Sequence, residues 1–242
     1  MDKQRLDQYL TSRGLVTSRS QAENYIRLGK VTVNGQVVSK PGFFVRHTAK
    51  VELKAEEQYV SRAGLKLASV AQLLGLDFRG SVVLDVGSST GGFTDYALQH
   101  GARKVYAVDV GTEQLHPSLR GDERIELHEK TDIRDFVITG DTPGIVVIDV
   151  SFISLREILP YIATHLSGPQ TQIAAMLKPQ FEAGRNQTNK GVIKNEAVRR
   201  QILRDFELWA KQYFVIRDKR DSEVAGTKGN RERFYLLSPL KK

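Results

Sequence analysis

Residues 83–95 read VLDVGSSTGGFTD, and the folding of this stretch decides the architecture around it. With Ser81 and Val82 before it, VVLDVG is a buried-strand pattern. GSSTGGFTDYALQHG then turns through glycines into a helix. Outward from here, KVYAVDV reads as a second strand, RIELHE as a third, GIVVIDV as a fourth and TQIAAML as a fifth. YFVIRDK and ERFYLL close the series. The helices between them are SRAGLKLASVAQLLGL, FISLREILPYIATHL and KNEAVRRQILRDFELWAKQ. Strand and helix alternate, so the expected fold is α/β, with a mostly parallel seven-stranded sheet covered by helices on both faces. Right-handed crossovers gather the carboxyl ends of the strands on one side, where ligands bind near the reversal of strand order.

The glycines place a ligand. Gly87, Gly91 and Gly92 let backbone approach a bound molecule closely. A dinucleotide site wants GxGxxG, yet Ser89 stands where its second glycine belongs. A phosphate-binding loop wants GxxxxGK, and that lysine is absent. Instead, Asp85 lies in the strand end and Asp109 ends the next strand, 24 residues later. A carboxylate at that second position can accept both hydroxyls of an adenosine ribose. A sulfonium cofactor also carries positive charge that carboxylates complement. These features favour S-adenosylmethionine over NAD or ATP, against the plainer reading of a structural glycine turn. Asp132, after the third strand, either accepts from an adenine amino group or caps its local turn. Phe93 either packs beside the cofactor or serves the core.

Four polar residues stand out in otherwise apolar surroundings. Asp149 ends VVIDV, Lys178 ends IAAML, Glu232 opens the last strand and Lys66 lies in the first helix of this unit. Buried charges need partners. Two structural ion pairs, unrelated surface charges and one shared catalytic site are all compatible with strand placement. Pro179 stops the fifth strand and fixes where Lys178 points.

The chain has 242 residues, 40% of them apolar and 26% charged, with a net charge of +8. That length allows one large domain or two ordinary ones. The charge is uneven: residues 1–54 hold ten Lys or Arg against four Asp or Glu, a net of +6. A basic end of this kind suits a polyanion, nucleic acid first. No run approaches the roughly 18 apolar residues of a membrane helix, and MDKQRLDQYL lacks a signal-peptide core. There are no cysteines, which fits a reducing cytosol. The five histidines are scattered, so no structural metal is expected.

Within that basic end, RLDQYLTSR reads as a short helix with Leu6 and Leu10 four apart. Ser18 can cap a second helix, SRSQAENYIRLG, ended by Gly29. VTVNGQVV turns at Asn34-Gly35 as a hairpin, and PGFFVRHTAKVEL supplies more strand. Arg5, Arg19, Arg27 and Lys30 make a basic side, which is otherwise only solvated charge. The run RLDQYL, GLVTSRSQAENYIRLGKVTVNG, then KPGFFV resembles the S4 RNA-binding domain over most of residues 4–54. The resemblance implies RNA contact through the second helix and the loop after it, at Arg19, Gln21, Arg27, Lys30 and Asn34, with Arg5 on the same basic side. Guanidinium, ammonium and amide groups suit RNA read through phosphate and shape. No paired aromatics suggest a base-stacking platform. Residues 1–54 are thus the expected S4-like α+β domain, 55–60 a joint and 61–242 the second domain.

In that second domain DVGSSTGGFTD, DVSFISL, MLKPQFEAGR and GNRE resemble the ribose 2′-O-methyltransferases of FtsJ-like fold. Joined to an S4 domain, the whole chain is most similar in pattern to the TlyA-type, haemolysin-labelled rRNA methyltransferases. The resemblance implies a Lys-Asp-Lys-Glu tetrad at Lys66, Asp149, Lys178 and Glu232. It implies an S-adenosylmethionine site at Gly87, Ser88, Ser89, Gly91, Gly92 and Phe93, with Asp85, Asp109, Val110, Asp132 and Asp149. One departure is local: SEVAGTKGN precedes GNRE's last residues where a proline is expected soon after the serine. The implied reaction aligns a ribose hydroxyl with an electrophilic methyl. Lys178 faces the hydroxyl, as amine taking its proton or as ammonium steering its oxygen. Asp149 orients Lys178, while Lys66 and Glu232 hold the ribose and the polar network. The expected substrate is ribosomal RNA or a ribosomal subunit, in the cytoplasm, its target nucleotide drawn from its stack. Rival expectations are an assembly protein that binds without turnover, a small-molecule methyltransferase, or a membrane-active haemolysin, for which no spanning segment is evident.

Overall fold

The computed structural model describes residues 3–16, 19–27, 29–53, 59–183, 191–226 and 229–240. The chain divides into two compact units, Met1–Gln58 and Tyr59–Lys242.

The first unit runs β1 (Lys3–Arg5), α1 (Leu6–Ser12), α2 (Arg19–Arg27), β2 (Val31–Val33), β3 (Gln36–Val37), β4 (Phe44–Arg46) and β5 (Val51–Leu53). Leu6 and Leu10 of α1 and Ala22 and Ile26 of α2 are fully buried, as their four-residue spacings require. Asn34 and Gly35 both take positive φ, 52° and 81°, and turn β2 into antiparallel β3. β5 pairs with the other edge of β2, and β1 pairs antiparallel with β4 in a separate ribbon. The helix expected from Arg5 starts one residue later, because Arg5 is the last residue of β1 and holds an extended backbone. The Ser18 cap lies outside the described residues.

The second unit contains α3 (Arg62–Ala71), β6 (Val82–Val86), α4 (Gly92–Gln99), β7 (Lys104–Val108), β8 (Ile125–His128), β9 (Ile145–Ile148), α5 (Leu155–Tyr161), β10 (Gln172–Leu177), α6 (Pro179–Glu182), α7 (Glu196–Ala210), β11 (Phe214–Asp221) and β12 (Arg233–Pro239). Its sheet has the order β11-β12-β10-β9-β6-β7-β8. The five strands from β10 to β8 are parallel, and β12 and β11 close one edge antiparallel. Successive strand residues alternate between two apolar cores. Val82, Leu84 and Val86 face one side with Val146, Ile148, Ile173 and Leu177, while Val83 faces the other with Val147, Ala174 and Met176. Each fully buried aliphatic of this kind contributes about 1.5–3 kcal/mol. This double burial makes the strands read as apolar runs.

Two local features depart from the expected segments. The helix expected over FISLREILPYIATHL contains Pro160, which lacks an N–H donor, and its last turn, Ile162–Leu166, is a π-helix. Tyr59 and Val60, expected in the joint, pack in the second unit. Tyr59 is buried against Tyr96 with ring centroids 5.3 Å apart, and the Val60 N–H donates to Asp95 at 2.8 Å. Among the described residues no helix is long and apolar enough to cross a membrane.

Candidate active site

Strand order reverses between β6 and β9: β7 and β8 lie on one side of β6, β9 and β10 on the other. The crevice beyond the carboxyl ends of these strands is the expected ligand position. A cleft of about 350 Å³ opens there, walled by Gly87, Asp109, Asp132, Ile133, Asp149 and Phe152. A smaller cleft of about 150 Å³ shares Gly87, Ser89, Asp149 and Ser151 with it and adds Asp85 and Lys178. A drug-sized ligand needs about 300 Å³ or more.

The glycine loop is shaped by contacts that side chains would spoil. Gly87 has φ +79°, and a Cβ there would stand 2.8 Å from the Asp149 carbonyl oxygen. Ser89, which replaces the second glycine of a dinucleotide motif, itself takes the left-handed conformation at φ 46°. Its N–H donates to Asp109 Oδ2 at 2.8 Å and its hydroxyl to Gln114 Oε1 at 2.9 Å. Those two bonds offset the cost of a left-handed residue, about 1–2 kcal/mol. Asp109 Oδ1 also accepts from the Gly111 N–H at 2.7 Å, so this carboxylate ties β7's loop to the glycine loop. Lone pairs remain for a ligand hydroxyl.

Asp85 is fully buried. Its Oδ2 accepts from Thr94 Oγ1 at 2.7 Å, whereas Oδ1 has no hydrogen-bond partner among the described residues. Burial pushes its carboxyl up to about 7, the Thr94 hydrogen bond opposes that, and the charge of Asp149 adds to it. A buried acceptor without a partner, beside a cleft, fits a cationic ligand group. The amino and sulfonium groups of S-adenosylmethionine have that chemistry.

Asp132 lines the larger cleft but is engaged locally. It accepts from Arg134 through both guanidinium contacts and the backbone N–H, at 2.6, 2.9 and 2.9 Å. The Arg134 hydrogen bond holds its carboxyl below the ordinary value. Of the two expected readings, turn capping is the one these contacts display. Val110 is 72% exposed at the cleft's rim, Ser88 is buried beside the smaller cleft, and Phe93 lines that cleft while packing 6.0 Å from the Phe234 ring.

The four expected catalytic residues form two ion pairs. Lys178 Nζ lies 2.7 Å from Asp149 Oδ1 and donates to Ser151 Oγ at 2.7 Å. Lys178 caps the short α6 with Pro179 at its first position, so the proline ends β10 and starts the next turn. Lys66 Nζ lies 2.6 Å from Glu232 Oε2. These two are 7% and 2% exposed and line neither cleft. Gly226 packs over the second pair, since a Cβ there would meet Glu232 Oε1 at 2.6 Å.

Sequence reasoning missed Glu182. Its Oε1 accepts from the Leu155 N–H at 2.7 Å and its Oε2 from Ser154 Oγ at 2.6 Å. It thereby joins α6, which follows Lys178, to the start of α5. Burial raises its carboxyl, against those two hydrogen bonds. Ser151 and Thr94 were also missed. Glu182 and Ser151 act across 27 or 28 residues and Thr94 across nine, so their letters were visible in the sequence but their partners were not.

In the first unit the expected RNA-contact residues divide by partner. Arg5 and Arg19 both bind the fully buried Asp7, at 2.8 and 3.0 Å. Burial would raise Asp7, but the hydrogen bonds from Arg5, Arg19 and the Gln8 N–H hold it below the ordinary value. Asn34 Oδ1 accepts from the Lys50 N–H at 2.9 Å. Gln21 is half-buried, while Arg27 and Lys30 are exposed. Phe43 and Phe44, which the sequence reading did not single out, are 41% and 59% exposed.

Comparison with known proteins agrees with both units. Residues 59–238 match the FtsJ-like methyltransferase family and residues 4–51 the S4 domain. A Bacillus subtilis protein provisionally named the rRNA methyltransferase YqxC is 40% identical over 243 residues, 97% of this chain and 85% of its own. The 23S rRNA (cytidine-2′-O)-methyltransferase TlyA of Campylobacter jejuni is 41% identical over 182 residues, 74% of this chain and 70% of its own. A solved Streptococcus thermophilus structure, carried under a provisional haemolysin label, superposes with TM-score 0.75 at 37% identity, covering all of this chain and 90% of that one. With an S4 domain at its N-terminus and a cleft at the switch point of a mostly parallel sheet, the chain belongs to the FtsJ-like methyltransferases.

Proposed function

We propose that this protein transfers a methyl group from S-adenosylmethionine to a ribose 2′-hydroxyl of ribosomal RNA, in the cytoplasm where ribosomes work. The observation that carries the reading is the Asp149–Lys178 pair, bordering a cleft at the point where strand order reverses. The cofactor supplies a methyl carbon made electrophilic by its sulfonium. Asp109 suits the adenosine ribose and Asp85 the cationic end. Ser88, Gly91, Gly92 and Val110 shape the space between and beside them. Asp132, held by Arg134, serves mainly to fix the loop that borders the adenine side.

Lys178 is ion-paired with Asp149 and donates one N–H to Ser151. An ammonium has three donors, so Lys178 has capacity left to donate to the ribose 2′-oxygen and hold it in line. Held in that line, the oxygen would take the methyl group that the cofactor supplies, with the sulfur as leaving group and the hydroxyl proton passing to solvent. In this account Lys178 steers and stabilises, and Asp149 fixes its direction. Lys66 and Glu232 support the fold beneath the site. The S4-like unit, residues 1–54, supplies affinity for structured RNA through Arg27 and Lys30, with Arg19 and Gln21 beside them.

The relative from C. jejuni is named for a cytidine in 23S rRNA, which makes a cytidine ribose the first target to examine. Mapping 2′-O-methyl groups on rRNA from cells with and without the gene tests the reading. New methyl groups that vanish with the gene are expected. Identical maps would overturn it.

A further inference from the structure

The outward face of the β1–β4 ribbon is built unlike the rest of its unit. Its register sets Lys3 opposite Arg46 and Arg5 opposite Phe44. Opposed residues, and residues two apart along a strand, share a face, so these four side chains stand together. Val45 points the other way and is 2% exposed, and Gln4 donates to Ser12 at 3.4 Å. The Arg5 guanidinium is drawn aside to Asp7. That leaves Lys3 and Arg46 directly opposed, and among the described residues neither has a carboxylate partner. Like charges placed opposite one another destabilise a ribbon. Phe44 stands beside them, 59% exposed.

Both features are unfavourable in the free protein, and one ligand chemistry relieves both. A phosphate set between Lys3 and Arg46 removes their repulsion, and a flat base covers the Phe44 ring. We propose that this face binds an unpaired nucleotide of RNA, stacking its base on Phe44 and taking flanking phosphates on Lys3 and Arg46. The proposal rests on the RNA reading above and adds a contact separate from α2 and its following loop. A membrane surface is less well served, since interfacial binding wants a broad apolar face rather than one ring among cations.

The test uses the full chain and fluorescence anisotropy with two labelled RNAs, a stem-loop with unpaired loop nucleotides and the same stem as a blunt duplex. Phe44→Leu should weaken stem-loop binding on the order of tenfold and leave duplex binding unchanged. Phe44→Tyr should restore it. Arg46→Gln should lower the salt slope by about 1. Circular dichroism checks that these exposed substitutions leave the fold intact. If the unsubstituted protein binds neither RNA, the RNA reading itself fails. If it binds and Phe44→Leu binds equally well, this inference alone fails. Loss of binding to phosphatidylglycerol vesicles in Phe44→Leu, with RNA binding intact, would overturn it in favour of a lipid surface.

Discussion

Two lysine–carboxylate pairs lie in the methyltransferase unit, nearly equal in length and both largely buried, and they differ in whether they border a cleft. Lys66–Glu232 spans 2.6 Å and is sealed, whereas Asp149–Lys178 spans 2.7 Å and borders the cleft with Ser151. Identical chemistry therefore supports different work. A pair with access to a ligand can act on reacting atoms. A sealed pair can only hold other groups in place, and it carries a desolvation cost that good geometry must offset. Under the proposed function, the tetrad divides into one pair bordering the cleft and one packed away from it.

The largest stability effect should separate the pairs. Lys66→Met leaves the Glu232 carboxylate buried without its partner and should cost about 3 kcal/mol or more in urea unfolding. Lys66→Met combined with Glu232→Leu should recover most of that, because an apolar pair removes the stranded charge. If the single substitution proved neutral, the sealed pair would have no supporting role.

A smaller effect concerns Asp85, the buried carboxyl that lines the smaller cleft with Asp149 and Lys178. In the native protein it holds its proton up to about pH 7. In the unfolded chain it ionises near pH 4. Between these values the native state binds the extra proton, so this residue's contribution to stability falls as pH rises and the loss is complete above about 7. Cofactor binding should run the other way. A cationic ligand prefers the ionised carboxyl, so affinity should weaken as pH drops below about 7, by up to tenfold per unit. Asp85→Asn should flatten both profiles in calorimetry and thermal melts. Profiles that kept their slopes in the variant would assign the titration elsewhere.

Much of this was legible beforehand, for physical reasons. Strands β6, β9 and β10 are buried on both faces, so they appear as apolar runs that no loop imitates. Asp149 and Lys178 stood out because charge is rare at such strand ends. The glycine loop was legible as a turn, yet nothing local said that Ser89 would take a glycine's conformation. β1 is three polar residues whose pairing is specified by β4, with Lys3 opposite Arg46 and Arg5 opposite Phe44, and leaves no period to read. Glu182 gains its role from Ser154 and Leu155, 28 and 27 residues before it. The Phe43–Phe44 pair was visible as letters, but its exposure depends on which face β4 turns inward.

We propose that Lys178, held by Asp149, acts on the ribose hydroxyl, while Asp85 and Asp109 hold the cofactor. Tritiated-methyl incorporation into ribosomal RNA by Lys178→Ala, with calorimetry of S-adenosylmethionine binding on the same protein, tests it most directly. The account predicts that transfer is abolished while cofactor affinity stays close to the unsubstituted value. Near-normal transfer by Lys178→Ala would contradict it.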